Sequence, residues 1–187
     1  KMIAYPAEVG TYNGKVYGLS WQVTPGAVFY RRSLAKKYLG TDDPAEVQKY
    51  LANWDKFLET AETLKTKSNG NCYIVSSTGD LFKPFTSGRK DPWVVNGKLV
   101  IDQKAIDYME MCKTLKDRGL EGRVNQWSEG WFAGMKGVLA DEAGNAKEVF
   151  SYFLPTWGLH YVLKTNAPET SGDWAMCAGP VGYRWGG

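Results

Sequence analysis

Three carboxylates, Asp80, Asp141 and Glu142, and a large supply of aromatic rings are the groups in this chain with chemistry to offer. Eight tryptophans and eleven tyrosines occur among 187 residues. An indole or phenol face suits the apolar C–H face of a pyranose ring, while its polar tip reaches a hydroxyl. The same rings also fill cores. Carboxylates beside aromatics serve glycosidic cleavage too, which needs a pair of them roughly 5–10 Å apart across the bond. Nothing in the spacing of the three separates them from solvated surface acids. The one histidine, His160, sits in an apolar run with no evident triad partner, and no G-x-S-x-G or G-x-x-x-x-G-K-[ST] occurs. Cys72, Cys112 and Cys177 are far apart and form no C-x-x-C. They match no zinc or thioredoxin pattern and read as small buried hydrophobes, with at most one disulfide among them. No metal and no cofactor is expected.

Composition narrows the class. A hydrophobic fraction of 43% with 23% charged residues describes a folded globular chain rather than a disordered one. The net charge of +3 is spread along the sequence, too weak and dispersed for nucleic acid or an anionic membrane. No apolar run approaches the roughly 20 residues needed to span a bilayer. The first residue is Lys1 rather than Met, so the chain reads as a piece of something longer. Its length fits one domain.

The elements that must position these groups follow from pattern. Val16–Arg31 (VYGLSWQVTPGAVFYR) reads as two short apolar strands around a polar interval containing Trp21, Gln22 and Thr24. Ser33 is expected to cap a short helix ended by Gly40. Asn53 caps an amphipathic helix with Trp54, Phe57, Leu58, Ala61 and Leu64 on one face. Cys72–Ser76 is a strand, and the loop carrying Asp80 and Phe82 leaves its end, where an α/β sheet places ligands. Asn96-Gly97 predicts a type I′ hairpin. Asp102 caps a second helix with Ala105, Tyr108, Met109, Cys112 and Leu115 inward and Gly119 closing it. A helix beginning near Ser128 leads to a strand, Val138–Ala140, and then to Asp141–Asn145. Between 148 and 164, Pro155 separates a helical turn from a second helix over Thr156–Lys164. A last strand runs from Trp174 toward Gly179-Pro180.

Taken in order, several segments resemble the extracellular solute-binding proteins of carbohydrate ABC importers, family 1. They are Tyr-Gly-Leu-Ser-Trp before Pro-Gly and Phe-Tyr-Arg-Arg, the Asn-Trp-Asp-Lys-Phe-Leu helix opening, the Asn-Gly-Lys-Leu-Val-Ile-Asp hairpin, and the terminal Gly-Gly. The resemblance implies an α/β fold: one lobe of a periplasmic-binding-protein-like (type II) fold, a mixed sheet flanked by helices. Residues 1–187 would form that single lobe, with 16–31 as the interlobe crossover.

The same resemblance implies a monomer that binds a sugar or oligosaccharide outside the membrane. It would deliver the sugar unchanged to the permease subunits of an ABC transporter, with a lipid anchor in the full-length parent as an option. The implied ligand contacts are stacking by Trp21, Phe82 and Trp185, with hydrogen bonds from Gln22, Thr24, Asp80, Asp141, Asn145 and Arg184. At the end of the 138–140 strand Asp141 or Asn145 stands where the family places an aromatic. The alternatives are a glycoside hydrolase or a stand-alone carbohydrate-binding module.

Overall fold

The computed structural model describes residues 4–20 and 22–186. A short helix α1 (Ala4–Val9) precedes β1 (Thr11–Tyr12) and β2 (Lys15–Val16), joined by Asn13 and Gly14 at φ 47° and 73°. Such positive values are what the right-handed strand twist demands of a two-residue turn. The expected strand beyond Val16 does not form: Val16, Tyr17 and Leu19 are exposed, and residues 17–20 carry no regular backbone element. The second half of the segment does form β3 (Gly26–Arg31), buried almost throughout. Helix α2 (Arg32–Leu39) starts two residues earlier than the Ser33 cap predicts. Ser33 instead gives its N–H and hydroxyl to the Asp173 carboxylate, at 2.7 and 2.5 Å. Gly40 ends the helix at φ 85°, as expected. Asp43 caps α3 (Pro44–Tyr50), and Asn53 caps α4 (Trp54–Lys67) by accepting from Lys56 N–H at 2.8 Å.

Strand β4 (Cys72–Tyr73) runs into a 3₁₀ turn over Thr78–Leu81 and then α5 (Phe82–Thr86). Asn96 and Gly97, at φ 50° and 74°, close the predicted hairpin of β5 (Val94–Val95) and β6 (Lys98–Leu99). Asp102 caps α6 (Gln103–Asp117) through the N–H groups of Lys104 and Ala105. The inward face of α6 differs from the prediction: Met109 is exposed, and Tyr108, Met111 and Leu115 pack on the core.

Ser128 caps α7 (Glu129–Lys136), and Gly137 ends it at φ 77°. Next come β7 (Leu139–Ala140), β8 (Ala146–Val149) and β9 (Ser151–Pro155). The helical turn expected before Pro155 is therefore a strand, and a central one. The helix expected over 156–164 is a π-helical turn, Leu159–Leu163, followed by α8 (Lys164–Asn166). Strand β10 (Trp174–Cys177) completes the set.

Strands β8 and β9 form one line interrupted at Phe150, which bonds both ways: its N–H to Tyr73 C=O at 2.8 Å, its C=O to Arg31 N–H at 3.0 Å. That line joins the antiparallel order β10-β3-β9 to the parallel pair β4·β8, giving one mixed sheet. The two faces of β3 seed two cores. Val28 and Tyr30 pack with α2, α3 and α4, while Ala27 and Phe29 pack with α7 and the π turn. A fully buried apolar side chain contributes about 1.5–3 kcal/mol, so both helical layers are held by the same strand. Among the described residues no helix is long and apolar enough to cross a membrane.

Candidate functional site

The C-terminal ends of β4 and β9 and the start of β3 lie at one end of the sheet. Gly26 pairs with Pro155 in register, and Pro25 bridges Gly186. Thr156 N–H donates to Pro25 C=O at 3.0 Å, and Gly26 N–H donates to Trp185 C=O. Ligands of open α/β sheets collect at such a strand end because the loops there converge while the sheet holds them rigid.

Gln22, Thr24, Ser87, Arg184 and Trp185 line a cavity of about 640 Å³ here. A neighbouring cavity of about 290 Å³ lies between Trp54, Phe85, Lys104 and Arg184. Ser87 and Arg184 belong to both. Four predicted site residues, Gln22, Thr24, Arg184 and Trp185, are thus brought together. Trp21 lies outside the described residues. Trp185 is almost wholly buried, tilted on Phe153 at 6.0 Å with its ring over Gly26, so it forms a floor rather than a free stacking face. Phe82 is 40% exposed and meets Tyr108 edge-on at 5.4 Å. It opens the helix that carries Phe85, yet lines neither cavity.

Asp80 is at the same sheet end, but inside it. The Trp131 indole N–H donates to Asp80 Oδ1 at 2.9 Å, and Oδ2 has no hydrogen-bond partner among the described residues. Burial pushes the carboxyl well above the usual carboxylate range, against weaker opposing pulls from the Trp131 indole and the Gln126 side chain. A group in that setting anchors an aromatic rather than meeting a solvated ligand.

Asp141 and Asn145 are not part of this site. They close the β7–β8 hairpin, where Asp141 Oδ1 accepts from the N–H groups of Ala143 and Asn145 at 3.0 and 2.8 Å. Lys147 pairs with Asp141 Oδ2 at 3.3 Å. That turn precedes Ala146, while the cavity end follows Pro155. Ten extended residues of strand, roughly 30 Å, separate them. The 138–140 strand ends in this hairpin turn, and Asp141 lines a separate cavity of about 510 Å³ with Glu121 and Arg123.

Sequence reasoning missed two aromatics. Trp157, two residues beyond β9, stacks on Trp127 with centroids 6.1 Å apart and planes 17° from parallel. Trp127 is 52% exposed and holds φ at +68°, a left-handed conformation that costs a bulky residue energy and so needs outside support. That support is Trp131, 5.0 Å away, itself held by Asp80. The signal available in the sequence was Trp127 just before the Ser128 cap, and Trp157 just after the apolar run that Pro155 ends.

No family model matches the chain, and no curated protein matches it. Solved structures do. A crystal structure of an extracellular solute-binding protein of family 1 is 18% identical, with a TM-score of 0.73 over 94% of this chain and 43% of that one. The ABC transporter associated binding protein of B. animalis subsp. lactis Bl-04, solved with β-1,6-galactobiose, is 24% identical, with a TM-score of 0.62 over 92% and 40%. The galacto-N-biose-/lacto-N-biose I-binding protein of Bifidobacterium longum, solved with lacto-N-biose, is 19% identical, with a TM-score of 0.66 over 95% and 41%. The chain spans about two-fifths of the length of these structures. It has the α/β fold of one lobe of an ABC-transporter solute-binding protein.

Proposed function

We propose that this chain is one lobe of a two-lobe protein that binds a sugar or oligosaccharide in the cleft at this sheet end and passes it, chemically unchanged, to an ABC permease outside the membrane. The observation that carries the reading is the stack of exposed Trp127 on half-buried Trp157, which follows Thr156 at the sheet end where Gln22, Thr24 and Arg184 line a cavity. Flat rings supply a face for the sugar's C–H groups, and the polar side chains fork to its hydroxyls. Solved proteins of this fold hold β-1,6-galactobiose and lacto-N-biose, which supports a sugar ligand. Residues 16–31 then serve as the crossover about which the lobes close and exclude water.

No carboxylate lines either cavity among the described residues, which suits binding better than glycosidic cleavage. Calorimetry on the two-lobe protein with a panel of mono- and disaccharides tests the reading. Saturable binding of one sugar class, with the sugar recovered intact, supports it. Shortened products after saturation would move the protein to the hydrolases.

A further inference from the structure

The charge around the paired cavities points to a narrower ligand class. This inference rests on the sugar-binding reading. Between Lys83 and Lys104 stand five basic residues, Lys83, Arg89, Lys90, Lys98 and Lys104, against two acidic ones, Asp91 and Asp102. Of these five, Lys104 lines the smaller cavity. Within the group, Arg89 is committed: it faces Asp102 at 3.6 Å and lies 3.3 Å over the Trp93 ring. Lys104 has only a loose contact with Asp107 at 4.0 Å.

Arg184 lies across the two cavities and makes no hydrogen bond or ion pair among the described residues. A guanidinium, with five donors in a planar fork, matches a planar or tetrahedral anion. Neutral sugar hydroxyls both donate and accept, and sites for them supply acceptors as well as donors. Among the described residues the charged groups lining the cavities are Arg184 and Lys104, both donors, beside the neutral Gln22, Thr24 and Ser87. The geometry points to a sugar bearing an anionic substituent, a uronic carboxylate or a sulfate ester, with its charge held between Arg184 and Lys104.

Three probes test this on the two-lobe protein: digalacturonate, a sulfated disaccharide, and the neutral β-1,6-galactobiose. Each is titrated calorimetrically at low and high salt. One anionic probe is expected to bind at least tenfold tighter than the neutral one, with the advantage shrinking in salt. Whichever anionic probe wins identifies the substituent. Arg184→Gln is expected to lose at least tenfold on that probe and Arg184→Lys less, with melting temperatures unchanged because Arg184 is exposed and makes no ion pair among the described residues. Lys104→Gln is a second check away from the cavity floor. Tighter or equal binding of the neutral disaccharide would overturn the inference and leave the sugar-binding reading standing. No binding of any probe would overturn both.

Discussion

Asp80 accepts the indole N–H of Trp131 at 2.9 Å in a place where both side chains are sealed from solvent. The carboxyl faces no cation there, so its proton is retained far more strongly in the folded chain than in the unfolded one. A raised folded pKa contributes stability that is fully present below the unfolded value of 3.8 and is lost as pH rises through the folded value. Asp80→Asn keeps an acceptor for Trp131 and removes the ionisation. It is expected to raise the melting temperature at alkaline pH, with a gain that vanishes near about pH 4. Thermal unfolding across that range measures it; a constant difference between variant and parent at every pH would show that Asp80 is not the titrating group.

The Trp127–Trp157 stack separates binding from folding. Trp127→Leu and Trp157→Leu keep apolar bulk and lose the flat face, and each is expected to weaken sugar binding by about tenfold or 1.4 kcal/mol in the two-lobe protein. Trp127→Gly relieves a left-handed backbone that costs a side-chain-bearing residue about 1–2 kcal/mol. It should therefore fold about as stably as the parent while binding poorly. Unchanged affinity in all three variants, read by calorimetry, would remove the pair from the site.

Gly26 has no room for a side chain, because a Cβ there would overlap the Trp185 ring. Gly26→Ala is expected to cost about 1–3 kcal/mol of stability by displacing that ring. Adding Trp185→Leu should return part of the loss, since the two changes share one space. Denaturant titration of the single and double variants reads the coupling, and strictly additive losses would contradict the overlap.

The three cysteines are all thiols. Burial pushes the Cys177 thiol up to about 11 and raises Cys72 and Cys112 as well. Since the thiolate is the reactive form, a disulfide-exchange reagent at about pH 8 should leave Cys72 and Cys177 untouched in the folded chain. Half-buried Cys112 should react slowly, and all three should react at once in denaturant. Rapid modification of two thiols in native buffer would contradict this.

What could be read from the sequence was local. The caps Asn53, Asp102 and Ser128 and the Asn96-Gly97 turn act through groups within a few residues, and the structure has each where the pattern puts it. The α/β class and the lobe resemblance came from the order of such segments. Strand β9 was hidden because SYFLP is buried on both faces and so carries no period of two. Asp141 and Asn145 lie apart from the paired cavities for a related reason: the direction in which a strand's end points is set by its sheet, and β7 runs opposite to β8. The exposure of Trp127 depends on Trp131, Trp157 and Asp80, which are far apart in sequence, and no local pattern encodes it.

The bridge between Pro25 and Gly186 places the two ends of the sheet-bearing body side by side. Residues 25–186 can therefore be lifted out of one polypeptide and spliced into another wherever two neighbouring backbone positions are free, with no stretch of either connection. By the same geometry, tying 25 to 186 with a short linker and cutting at the exposed Asn96-Gly97 tip would yield a permuted chain that keeps every strand pairing of the mixed sheet.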